Sequence, residues 1–150
     1  MSQNDPFQSE TFRTIQQEYL SRVISFLLDE EVEFAIAAEV EYLDFDPELP
    51  SGIHERFSPV SLFVLAGYTY ETARLDEERL IFEAGFGEEN FGSVVTVPLL
   101  AIKQVIVGEY PVAINIAEPV PEEHPDPSHS MEALLNNPEN LKLLKKKRKR

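Results

Sequence analysis

Three histidines, His54, His124 and His129, and four acidic groups are the residues best suited to acid–base or metal chemistry; the acidic groups are Asp29-Glu30-Glu31, Asp44-Asp46-Glu48, Asp76-Glu77-Glu78 and Glu88-Glu89. A metal-binding histidine needs partners at ligand spacing, and none of the three has one. A working carboxylate needs burial or a charge partner to tune it, whereas these acids fall at expected helix ends and turns. The chain has no cysteine, and so no thiolate ligand, thiol nucleophile or disulfide. Gly85-Phe86-Gly87 lacks the spacing of a phosphate-cradling loop. No serine, histidine and aspartate form a defensible triad. The expectation is no enzyme, no metal and no cofactor, and therefore a binding module.

The terminus carries a different chemistry. Leu141, Leu143 and Leu144 lead into the basic run Lys145 to Arg150, an amphipathic basic peptide. By charge alone such a run fits nucleic acid or a membrane surface. The leucines serve no electrostatic purpose and point instead to an apolar pocket on a protein partner. Seven of the 13 basic residues sit in the last ten positions, while all 27 acids precede them, which leaves residues 1–140 at −21 and the last ten at +7. A body that acidic repels phosphate backbones.

These segments must be positioned by a domain. At 150 residues and 43% hydrophobic content the chain suits one core of ordinary size. Its apolar runs are far shorter than the roughly 20 residues that cross a bilayer, and its start lacks the order of a signal peptide, so a soluble cytoplasmic protein is expected. Residues 9–30 place Phe12, Ile15, Tyr19, Val23 and Phe26 at three-four spacing, with Ser9 as N-cap. Leu20, Ile24, Leu27 and Leu28 widen that stripe beyond a single face, so the helix either sinks deep into its own domain or shares a second side with another subunit.

From Val32 to Tyr42 the period changes to two, the pattern of a half-buried strand. Residues 43–59 read as a long loop rich in proline and acid. Further strands are expected at Ser61–Ala66, with Tyr68 and Tyr70 continuing the extended pattern, then at Leu80–Ala84 and Ser93–Val97, with Gly85-Phe86-Gly87 a bend or bulge. Pro98 opens one or two short helical turns, although Val105-Ile106-Val107 also suits a strand, and Val112, Ile114 and Ile116 make a last edge strand. The sum is a mainly β domain with an N-terminal helix, as two packed sheets or a small barrel. After residue 117, prolines and acids dominate, and 118–140 reads as a disordered linker to the terminal peptide 141–150.

Two stretches carry a family resemblance. Phe82, Ala84, Phe86 and Gly87, followed by Val95, Thr96, Val97 and Pro98, resemble the Phe-x-Ala-x-Phe-Gly and Val-Ser-Val-Pro elements of stringent starvation protein B (SspB), the specificity-enhancing adaptor of the ClpXP protease. Leu141-Lys142-Leu143-Leu144-Lys145 is similar to the terminal Leu-Arg-Val-Val-Lys-like motif with which that family docks on the unfoldase. The order of helix, β domain, acidic linker and terminal peptide also agrees. Gly85 stands where an arginine is common, and 46–59 and 88–92 are longer than the family pattern.

The resemblance implies a small Sm-like β fold over 1–117 and a homodimer paired through Phe12, Ile15, Tyr19, Val23 and Phe26. It also implies a groove for unstructured degradation tags, above all the ssrA tag, with partners in tagged polypeptides and the N-terminal domain of ClpX. Ala84 matches the small floor residue of that groove. Phe86 and Val95 are candidate walls, Leu65, Ala66 and Tyr68 lie on the segment beside them, and Phe82 and Val97 complete the set. The alternative is an Sm-like domain that binds RNA, with the basic tail on phosphate.

Overall fold

The computed structural model describes residues 5–119. The expected linker beyond Pro119 and the docking peptide Leu141, Lys142, Leu143, Leu144 and Lys145 lie outside the described residues. Helix α1 spans Glu10–Asp29. Its N-terminus is set by Ser9, whose Oγ accepts from the Phe12 amide at 3.1 Å, and its end by Glu31 at φ 60°. Leu20, Ile24 and Leu27 form its buried face. Ile15, Tyr19 and Phe26 are exposed, and Phe12 and Val23 are half-buried. The over-wide stripe thus separates into one face committed to the core and one open to solvent.

Eight strands follow: β1 Phe34–Glu39, β2 Asp44–Asp46, β3 Val60–Leu65, β4 Arg74–Leu75, β5 Arg79–Phe86, β6 Phe91–Pro98, β7 Ile102–Val107 and β8 Tyr110–Ile114. They form two antiparallel four-stranded sheets, ordered β3-β1-β7-β8 and β2-β6-β5-β4, rather than a closed barrel. Period-two burial runs as expected through β1, where Phe34, Ile36 and Ala38 point inward, but Val40–Tyr42 tightens into a 3₁₀ turn and ends the strand early. The core joins Leu20 and Ile24 of α1 to Ile36 and Leu65 of the first sheet and to Leu80, Phe82, Val95 and Val97 of the second.

Three expectations are corrected. The long loop at 43–59 contains β2 and a short helix α2, Ser51–His54, because Phe45 and Leu49 are buried and anchor it. Tyr68 and Tyr70 do not extend β3; Gly67, at φ 58°, reverses the chain into helix α3, Tyr68–Thr72, and the Tyr70 hydroxyl donates to the Leu27 carbonyl at 3.1 Å. After Pro98 the shorter of the two expected helical lengths is found, a single 3₁₀ turn at Leu99–Ala101, and the strand that the β-branched run allowed forms as β7. The glycine bend lies one step later than expected: β5 continues through Gly85 and Phe86, and the reversal occupies Gly87–Asn90.

Buried Asn115 fixes the chain beyond β8. Its Nδ2 donates to the carbonyls of Leu100, Ile102 and Ala117 at 3.0–3.1 Å, and its Oδ1 accepts from the Ala117 amide at 2.8 Å. The β4–β5 turn is held by Asp76, which accepts from the backbone amides of Glu78 and Arg79 and pairs with the Arg79 guanidinium at 3.0 Å. Those amides and the guanidinium hold the Asp76 carboxyl below its usual range, so its stabilisation is present above the unfolded value and is lost as pH falls through the lower folded value. Asp76→Ala is therefore expected to cost about 1 kcal/mol in urea unfolding at neutral pH. The loss should shrink in strong acid, and an equal loss at both would contradict the assignment.

Candidate peptide-binding cleft

Among the described residues β3 and β8 edge the first sheet and β2 and β4 the second, and the edges nearest the predicted residues are those of β3 and of β5 beyond β4. The Val40 amide bonds the Pro59 carbonyl at 2.9 Å, which sets the alternation along β3: the backbone groups of Ser61, Phe63 and Leu65 face β1, and those of Val60, Leu62 and Val64 face away. On the other sheet, β4 pairs with β5 only through Leu80 and Ile81. The Glu83 amide donates to Thr72 Oγ1 at 2.9 Å on that same side, so the backbone groups of Gly85 also face away from β6, with no strand beside them.

The Phe63 and Phe86 rings lie 6.5 Å apart, within an aromatic cluster that includes Phe45 and Phe57. Tyr68, the first residue of α3, donates its hydroxyl to Glu83 Oε1 at 2.6 Å. That hydrogen bond, together with the charge of Glu83, pushes the Tyr68 phenol above its usual range. Beside β5 a cavity of about 370 Å³ opens, lined by Asp46, Pro47, Tyr68, Glu83, Ala84, Gly85, Asn90, Gly92, Ser93 and Val94.

Its surface has a backbone trough, since Gly85 and Gly92 stand opposite each other in register. The Asn90 amide covers Gly85, where an added Cβ would fall 1.8 Å from its Oδ1. A long side chain at that position, such as the arginine common in the resembling family, has no room while Asn90 holds this place. Exposed Leu62 and Val64 form an apolar strip on the outer face of β3, in the other sheet. Free backbone edges with small residues and apolar neighbours are what an extended peptide needs in order to add as a strand.

The sequence-predicted residues divide. Tyr68 and Ala84 line the cavity, and Ala66 is exposed at the end of β3. Phe86 is half-buried in the aromatic cluster. Leu65, Phe82, Val95 and Val97 are buried in the core, so their side chains support the cleft from beneath and cannot be its walls. Asp46, Pro47, Asn90, Gly92, Ser93 and Val94 were not among the expected residues. Asp46 and Pro47 sat in the presumed loop, and Asn90 and Gly92 in the segment 88–92 read as a connection, so no local pattern pointed to them. Among the described residues no group of three or more histidines and acids could hold a metal, and no helix is long and apolar enough to cross a membrane. A second cavity of about 430 Å³ is lined by Leu43, Asp44, Phe45, Glu48, Leu49, Ser51 and His54, none of them a predicted groove residue.

No protein-family model matches this chain, and no curated protein matches it.

Proposed function

We propose that this protein is a non-enzymatic proteolytic adaptor of the stringent starvation protein B type: an Sm-like β domain that holds an ssrA-type degradation tag in the cleft and hands the tagged substrate to the ClpX unfoldase. One observation carries the reading. Tyr68, after β3, and Ala84, on β5, were assigned from sequence to a peptide groove, and both line a cavity of about 370 Å³ beside the part of β5 that β4 leaves unpaired. The terminal peptide Leu141-Lys142-Leu143-Leu144-Lys145 is assigned to the unfoldase's N-terminal domain. Two weak contacts joined by a chain of this length raise the local concentration of substrate at the pore. Of the 27 acids five lie beyond Pro119, and of the 13 basic residues seven do, which leaves the described residues with 22 acids against 6 bases. That balance disfavours the RNA reading.

The adaptor acts in the cytoplasm as a homodimer through the outer face of α1. Ile15 at 54% and Phe26 at 60% exposure support this, being an apolar surface that a lone subunit leaves in water. Ile15→Asp is expected to halve the mass measured by light scattering; an unchanged mass would refute that pairing. The adaptor reading itself is tested by degradation of an ssrA-tagged reporter by ClpXP at substrate concentrations well below saturation. The full chain is expected to speed it, and an unchanged rate would count against the proposal.

A further inference from the structure

The cavity beside β5 is unequal in what it offers a ligand. Its two hydroxyls are already donating, Tyr68 to Glu83 at 2.6 Å and Ser93 to the Pro47 carbonyl at 2.9 Å. Both of its charged groups, Asp46 and Glu83, are carboxylates, and among the described residues neither has a cation within ion-pair distance. Only the Asn90 amide remains as a side-chain donor. The acceptors, by contrast, are in surplus. A ligand group that fits must bring donors of its own.

The register says where. Asp46, Val94 and Glu83 stand in one row across β2, β6 and β5, and the next row on the same face holds Gly92 and Gly85. With neighbouring strands about 4.8 Å apart, the two acidic residues lie about 10 Å from each other on either side of Val94. A cation above Val94 is then within reach of both carboxylates, and the alkyl stem of its side chain can lie over Gly92, where an added Cβ would meet nothing within 4 Å, while Asn90 keeps the place over Gly85. Tyr68 fixes one oxygen of Glu83 and leaves the other to accept.

Resting on the reading of this cleft as a tag site, we infer that the tag residue seated over Gly92 and Val94 is a lysine or an arginine, and that Asp46 and Glu83 select it. An acidic residue at that position meets two carboxylates and no free hydroxyl donor. The expected preference is about tenfold, the size given by two partly exposed ion pairs acting together.

The experiment uses the full chain and a series of fluorescein-labelled ssrA-type peptides in which one position at a time carries Lys, Ala or Asp. Lys at one position is expected to tighten binding about tenfold over Ala, and Asp there to weaken it. In the isosteric double variant Asp46→Asn/Glu83→Gln the ratio of Lys-peptide to Ala-peptide affinity should fall to about one, each peptide being compared within the same variant. Binding with no gain from Lys at any position would overturn the inference and leave the groove standing. A Lys gain that persists in the double variant would assign it to the general negative charge of the body, and would overturn the inference as well. If no peptide of the series binds, the tag-site reading fails and the inference fails with it.

Discussion

Phe82→Ala is expected to cost about 3–5 kcal/mol and to leave little of the chain folded at 37 °C, since a domain of this size has only about 5–15 kcal/mol to lose. Phe82 is 1% exposed, faces Val95 across the β5–β6 ladder and packs with Leu80 and Val97 into the core shared by both sheets and α1. Truncation removes an aromatic side chain from a place that the surrounding strands cannot easily close, so the lost transfer free energy and the cavity add. Urea unfolding followed by circular dichroism measures it. A loss below about 1 kcal/mol would show that the space refills, and would contradict the close packing described for this core.

Deleting Leu141–Arg150 is expected to leave tag binding and folding unchanged and to abolish the acceleration of tagged-reporter degradation. Folding should survive because the core is closed by residues before Pro119, with Asn115 locking the last turn. Delivery should fail because, without the second contact, the substrate is no longer held near the unfoldase, and avidity gains of about 10²–10⁴ depend on both contacts being made at once. The measurement is the degradation rate at low substrate, with peptide binding as its control. Full acceleration by the truncated chain would contradict the two-contact mechanism.

The legible part of the fold was the part with a long period. Helix α1 announced itself by three-four spacing, and β1, β5 and β6 by alternating or apolar runs. Three short elements did not: β2 and α2 are held by Phe45 and Leu49, two buried residues among acids and prolines, and α3 starts because Gly67 takes φ 58°. Such elements are set by tertiary contacts that no local pattern encodes. The site shows the same division. Tyr68 and Ala84 were reachable by resemblance, but Asp46, Asn90 and Gly92 come to the cavity through strand register and through a turn whose side chain folds back over Gly85. Motif matching also drew in Phe82, Val95 and Val97, because a strand motif mixes the residues that hold a groove up with those that face it.

The central claim is that the cleft beside Tyr68 and Ala84 holds an extended degradation tag. It is tested most directly by fluorescence anisotropy of a labelled ssrA-type peptide titrated with the wild-type chain and with Tyr68→Ala. Tyr68 is 65% exposed, so its truncation should leave the thermal melt in place. Saturable binding by the wild type, weakened about tenfold or more by the substitution, is the expected result, in line with the loss of an exposed aromatic anchor that also holds Glu83. Equal binding by both chains would move the peptide away from this cleft, and no binding by the wild type would contradict the account.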